Sequence, residues 1–150
     1  MVAYADTSFF FSLYAQDANT VHAARIAASL DAALVVTPLQ RHELRNAFRL
    51  AVFRREITLA ECQSLLDSVE ADTRSGALVE TPVAWAELYA GADALSAAHS
   101  TTLGTRGFDV LHVAATVALG IKNFLTFDNR QKALAAVSYT HLTLPTKRIV

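Results

Sequence analysis

The stretch Arg106-Gly-Phe-Asp-Val-Leu-His-Val-Ala-Ala-Thr-Val-Ala-Leu-Gly120, followed closely by Phe124-Leu-Thr-Phe-Asp128, constrains this chain more than any other. It reads as a helix that opens on a carboxylate, a tight link, and a buried strand that ends on a second carboxylate. Acidic groups at the ends of apolar elements are costly to bury without compensation. Two more, Asp6 and Glu43, hold comparable positions earlier in the chain. The expectation is that these four carboxylates surround a divalent metal ion.

The remaining segments supply a frame for them. Val2-Ala-Tyr-Ala5 is a short apolar run, predicted as a buried strand ending at Asp6-Thr-Ser8. Ligands of open α/β sheets bind at the C-terminal ends of strands, although Asp6 taken alone reads equally well as a helix cap. A helix is predicted over Phe9 to Tyr14, and another from a Thr20 cap through Leu30. Leu34 to Thr37 is the second strand, with Pro38 at its exit. Gln40 to Arg55 is a long helix whose apolar stripe is Leu44, Phe48, Ala51 and Val52. Glu43 is placed in its first turn, where the helix dipole favours a carboxylate. Arg41, Arg45 and Arg49 recur every four residues and form one stripe. That stripe is either a solvated face or a contact surface for phosphates or an acidic partner.

Thr58-Leu-Ala-Glu61 is a capping box opening a helix that ends near Gly76. Cys62, Leu65, Leu66 and Val69 form its buried face, so Cys62 reads as core and not as a nucleophile. Leu78 to Glu80 is the third strand. A helix with Pro82 in its first turn is predicted to run to about His99, with Trp85, Leu88 and Leu95 facing inward. A polar loop over 100–107 leads to the Asp109 helix, which closes at Gly120. Phe124 to Phe127 is the fourth strand and Gln131 to Val137 the last helix. This alternation argues for a parallel α/β sheet.

Composition excludes several classes. With 150 residues, 53% of them hydrophobic and 18% charged, the chain can bury a core as one domain. A net charge of −1 carries no global signal for nucleic acid, so any such binding rests on a local patch. The lone Cys62 rules out an intrachain disulfide and a cysteine-based zinc site, and it fits a reduced, cytoplasmic setting. No run of about 20 apolar residues is present to span a membrane, and Met1 to Ala5 meets Asp6 too soon for a signal peptide. Residues 138–150 differ from the rest: the Ala-rich helix gives way to a Thr-rich run that reads as a sequence-assembly artefact. The domain is therefore set at 1–137. His141 is given no role, and Tyr139 to Leu144 is predicted to imitate a missing edge strand, because Thr and Tyr favour strands.

Carboxylates held close together raise one another's pKa values, and hard cations with oxygen ligands resolve the repulsion. Mg²⁺ and Mn²⁺ are the natural candidates. Ala5-Asp6-Thr7-Ser8, Glu43, Asp109-Val-Leu-His-Val-Ala114 and Leu125-Thr-Phe-Asp-Asn-Arg-Gln131, in that order over residues 2–137, resemble the PIN-domain ribonucleases. The likeness is greatest to the VapC toxins of bacterial toxin–antitoxin pairs. The resemblance implies a PIN-like three-layer sandwich, with a central, mainly parallel sheet of four to five strands flanked by helices. It implies a Mg²⁺- or Mn²⁺-dependent endoribonuclease whose acidic site is Asp6, Glu43, Asp109 and Asp128, supported by the hydroxyls of Ser8 and Thr126. The products would carry 5′-phosphate and 3′-hydroxyl ends. An antitoxin partner and a homodimer follow from the same likeness. Arg130 beside the last acid, and the stripe of Arg41, Arg45 and Arg49, are the candidates for RNA phosphates. His112 shares the helix face of Asp109 and is expected to be a packed, hydrogen-bonded residue.

Two other readings stand beside this one. A non-catalytic PIN-like module would bind RNA or protein without cutting, although a pure binder has no reason to concentrate four acids. A receiver-type phosphotransfer domain needs a lysine after a late strand, whereas Lys122 precedes the fourth strand.

Overall fold

The computed structural model describes residues 1–139 and 148–149, which divide into two compact units, one over Met1–Thr81 and one from Pro82 onward. Both are α/β, and the strand pairing described within each is parallel.

In the first unit, strands β1 (Val2–Ala5), β2 (Ala33–Val36) and β3 (Leu78–Glu80) alternate with helices α1 (Thr7–Tyr14), α2 (Thr20–Leu30), α3 (Pro38–Phe53) and α4 (Leu59–Ser75). β2 lies between the other two strands, with Tyr4 opposite Val35 and Val35 opposite Val79. Parallel neighbours need crossover connections, and the helices supply them. All three strands therefore end on one edge, where Asp6, Thr37 and Thr81 follow. Ala3, Tyr4, Phe9, Phe10, Leu44 and Phe48 form the dry interior. Phe11 meets Phe48 in a tilted ring pair with centroids 5.8 Å apart. α4 begins with the predicted Thr58–Glu61 capping box and ends on Gly76, whose φ of 83° a side chain would strain.

In the second unit, α5 (Trp85–Leu103) packs on α6 (Gly107–Ala118), and α7 (Asn129–Tyr139) packs on both. β4 (Asn123–Leu125) pairs with β5 (Arg148–Ile149), Asn123 opposite Arg148 and Phe124 opposite Ile149. Among the described residues, no helix is long and apolar enough to cross a membrane.

Several boundaries differ from expectation, each for a local reason. Pro38 does not merely end β2. It is the first residue of α3, where its missing N–H costs nothing. Glu43 consequently falls beyond the first turn. Thr20 lies inside α2 and does not cap it; its hydroxyl donates to the Ala15 carbonyl at 2.8 Å and accepts from the Asp17 N–H at 2.9 Å. Pro82 lies before α5, which starts only at Trp85. That later start turns Trp85 outward to 41% exposure, and its ring pairs with that of Tyr89. α5 also consumes half of the predicted 100–107 loop, stopping at Leu103 with Gly104 as its left-handed cap. Tyr139 ends α7, so the edge strand beside β4 is Arg148–Ile149 and does not begin at 139. Residues 140–144, including His141, lie outside the described residues.

Candidate active site

Each unit holds two of the four predicted acids. In the first, Asp6 leaves β1 in an extended conformation and becomes the N-cap of α1. Its Oδ1 accepts the Phe9 N–H at 2.9 Å, and the Ser8 hydroxyl lies 2.8 and 2.9 Å from its two oxygens. The residue is 1% exposed. Both meanings of Asp6 in the sequence therefore apply: it caps a helix, and it is a buried carboxylate at the end of a strand. The Thr7 hydroxyl donates to Glu43 Oε2 at 2.8 Å, which ties the start of α1 to α3.

Gln40 fixes this corner. Its amide is fully buried, donating to the carbonyls of Ala5 at 2.5 Å and Val35 at 3.2 Å, while its Oε1 accepts the Thr37 N–H at 2.7 Å. Thr37 returns the bond to Gln40, completing a capping box at α3. One side chain thus satisfies the ends of β1 and β2 together, directly before Asp6.

In the second unit, Asp109 occupies the third position of α6 and is 5% exposed. Its Oδ2 accepts the backbone N–H of Arg106 at 3.2 Å and the Arg106 Nε–H at 3.0 Å. Its Oδ1 accepts the Gln131 amide at 3.1 Å. Asp128 caps α7, with Oδ1 receiving the N–H groups of Arg130 at 2.8 Å and Gln131 at 3.0 Å. The Thr126 Oγ1 accepts the Asp128 N–H at 2.9 Å and so holds the turn that presents it. The other end of the Arg106 guanidinium lies 3.6 Å from Asp128 Oδ2. One arginine thus joins Asp109 and Asp128, the two predicted acids of this unit. Hydrogen bonding to Asp109, then its charge, and more weakly the charge of Asp128, raise the Arg106 pKa above its ordinary value. Gln131 is buried, and its Oε1 finds no hydrogen-bond partner among the described residues.

The predicted phosphate contacts divide. Arg41 pairs with Glu70 at 2.6 Å and with Glu80, and Arg45 pairs with Glu70. The hydrogen bond from Arg45, assisted by the charges of both arginines, lowers the Glu70 pKa. Two members of the stripe are thus already matched by carboxylates from α4 and β3, while Arg49 and Arg130 are exposed. His112 is 2% exposed and Cys62 is buried, as expected for core positions.

Arg106 and Gln131 were not singled out in the sequence as site residues, nor was Gln40. A signal existed for the two glutamines. Thr37-x-x-Gln40 and Asp128-x-x-Gln131 both carry the capping-box spacing. Arg106 stands three residues before Asp109, the spacing of helical neighbours.

Among the described residues, no three His, Cys, Asp or Glu side chains gather as a metal-holding group. The donor chemistry nevertheless suits Mg²⁺, which keeps several waters and is held by one or two carboxylates. Asp109 and Asp128 form such a pair around Arg106, with the orphaned oxygen of Gln131 on the residue that binds Asp109. The PIN domain family model matches residues 3–137, a span that contains all four acids. Among solved structures, the chain is similar to Mycobacterium tuberculosis VapC20, described as a sarcin-ricin loop cleaving toxin. The identity is 22% and the TM-score 0.65, with 89% of this chain and 94% of that chain covered. At that identity the likeness is one of fold. No curated protein matches the sequence.

Proposed function

This chain belongs to the PIN-domain family, and from that membership we propose that it is a metal-dependent endoribonuclease, the toxin of a toxin–antitoxin pair. The observation that carries the reading is the burial of Asp6 and Asp109 at helix starts, each with hydrogen-bond donors fixing its oxygens. Buried carboxylates without a catalytic or metal-binding duty are a burden on a fold. Here Asp6, Asp109 and Asp128 are assigned as the residues that hold Mg²⁺ or Mn²⁺, with Glu43 as a further ligand or an orienter of water.

The bound metal would polarise the phosphoryl oxygen and make water a competent nucleophile near neutral pH. The chain's own residues do the positioning. Ser8 fixes the Asp6 carboxylate, and Thr7 fixes Glu43. Thr126 holds the Asp128 turn, and Gln131 sets the Asp109 oxygen. Such supporting partners are worth roughly 10- to 100-fold in metal affinity or activity at comparable sites. Arg130 and Arg49, both exposed, are the choice for contacts to the RNA backbone; Arg41 and Arg45 could join only by leaving Glu70 and Glu80. A cytoplasmic protein that pairs with an antitoxin and forms a homodimer completes the reading.

The test is cleavage of total RNA with Mg²⁺ or Mn²⁺, with new 5′ ends mapped by sequencing and a chelator control. The sarcin-ricin loop of ribosomal RNA is the first target to inspect, because the structurally similar VapC20 is described as cleaving it. Discrete cuts bearing 5′-phosphates, absent with chelator, are expected. Folded protein that binds RNA and cuts none of it would replace this reading with a binding module.

A further inference from the structure

Arg106 differs in exposure from the two carboxylates it joins. Its side chain is 67% exposed, that of Asp128 is 24% exposed, and that of Asp109 only 7%. The guanidinium can therefore return to water at little cost. A carboxylate as buried as Asp109 cannot give up a counter-ion without a replacement, because an unpaired buried charge is strongly destabilising. Whatever displaces Arg106 must bring positive charge and accept oxygen ligands, which describes a divalent cation. A second observation marks the same place. Gln131 binds Asp109 through its amide N–H, and its own oxygen is buried with no partner among the described residues. That oxygen is a further acceptor for a cation or for a water held by one.

We propose that Arg106 is a displaceable counter-ion, holding Asp109 and Asp128 until a divalent cation takes its place and then pairing with a phosphate of the RNA. The proposal rests on the metal-dependent nuclease reading and adds to it a residue with two successive partners. Arginine suits both, since its planar fork matches carboxylate and phosphate alike. The exchange also improves local charge balance: a single guanidinium offsets only one of the two carboxylates, a divalent cation offsets both, and substrate phosphate then neutralises the freed guanidinium.

Calorimetric titration of the full chain with Mn²⁺, and thermal melts with and without Mn²⁺, test the first half. Wild type, Arg106→Gln, Arg106→Lys and the control Asp109→Asn are compared. Arg106→Gln is expected to bind Mn²⁺ about two- to fivefold more tightly, the scale of an exposed ion pair no longer competing. Its melting temperature without metal falls, so its gain on adding Mn²⁺ exceeds that of wild type. Arg106→Lys, which keeps the charge but loses the fork, falls between them and carries the comparison if Arg106→Gln does not fold. Equal or weaker Mn²⁺ binding by Arg106→Gln overturns the proposal. Where wild type binds Mn²⁺ and Asp109→Asn does not, such a negative result for Arg106→Gln overturns the proposal and leaves the nuclease reading standing. If wild type binds no Mn²⁺, the nuclease reading falls with it. For the second half, RNA binding is measured in Mn²⁺ on an Asp6→Asn background, in which cleavage is expected to be slow. Arg106→Gln there is expected to reduce the salt slope by about one, and an unchanged slope removes the phosphate contact.

Discussion

The two units stabilise their acids by different routes. In the first, Asp6 is held by its own turn: the Ser8 hydroxyl two residues on and the Phe9 N–H three residues on. In the second, Asp109 depends on Gln131, 22 residues away, and shares the Arg106 guanidinium with Asp128. The bonds of the first arrangement fall within four consecutive residues. The second exists only when α6 and α7 pack. The first corner still relies on Gln40 of α3 for the backbone directly before Asp6, whereas in the second the carboxylate contacts themselves should report on the packing of its helices.

The largest expected effect asks whether both pairs serve one reaction. Asp6→Asn and Asp109→Asn should each lower the RNA cleavage rate by more than about a hundredfold, beyond the usual cost of a merely supporting residue. Asparagine can still cap α1 at position 6, and at 109 its amide oxygen can still accept from Gln131. Both proteins should consequently remain folded by circular dichroism and calorimetry. Loss of activity in Asp109→Asn with full activity in Asp6→Asn would break the pairing and leave the chemistry to the second unit.

The next effect compares the supports. Ser8→Ala removes a donor from Asp6, and Gln131→Leu removes one from Asp109. Each should reduce the cleavage rate by about tenfold or somewhat more. Their stabilities should diverge in an informative way. Ser8→Ala leaves the Phe9 N–H bond intact and costs about 1 kcal/mol. Gln131→Leu leaves the buried Asp109 Oδ1 without this donor and should cost more, about 1–3 kcal/mol or above, even though it also removes an oxygen that has no partner among the described residues. A melting temperature close to that of wild type for Gln131→Leu would mean that Asp109 Oδ1 finds another donor in solution.

The same contrast explains what could be read from the chain before its structure. Asp6-Thr-Ser8 was legible because its chemistry is local: a strand end, a cap and a hydroxyl within three residues. The strand cores and the Thr58 capping box were legible for the same reason. Trp85 was misplaced because a large aromatic suggests the core, whereas its direction depends on where α5 starts. Arg106 was passed over because its meaning lies in Asp128, 22 residues later, and no periodicity links them. Arg41 and Arg45 looked like an open basic stripe for the converse reason: Glu70 and Glu80, which pair with them, belong to other elements. Helical spacing shows which side chains share a face, and says nothing about what packs against that face.

That last pairing gives the smallest predicted effect and the one that tests the role of the stripe. The Glu70 pKa is lowered in the folded protein, with Arg45 and Arg41 as the stabilising partners. A carboxyl whose pKa is depressed on folding contributes stability above its unfolded pKa. That contribution is lost as pH falls through the folded value. Glu70→Gln should therefore melt below wild type at pH 7, and the two curves should converge in the acid range as wild-type Glu70 protonates. With a third of each side chain exposed, screening limits the difference to about 1 kcal/mol or less. Added salt should shrink it further. A difference that persists at low pH would come from packing of α4 and not from charge. If RNA recruits Arg41 and Arg45, freeing them should tighten RNA binding in Glu70→Gln. An unchanged RNA affinity would instead fix the two arginines as part of the first unit's own scaffold, leaving the substrate to exposed cations such as Arg49, Arg106 and Arg130.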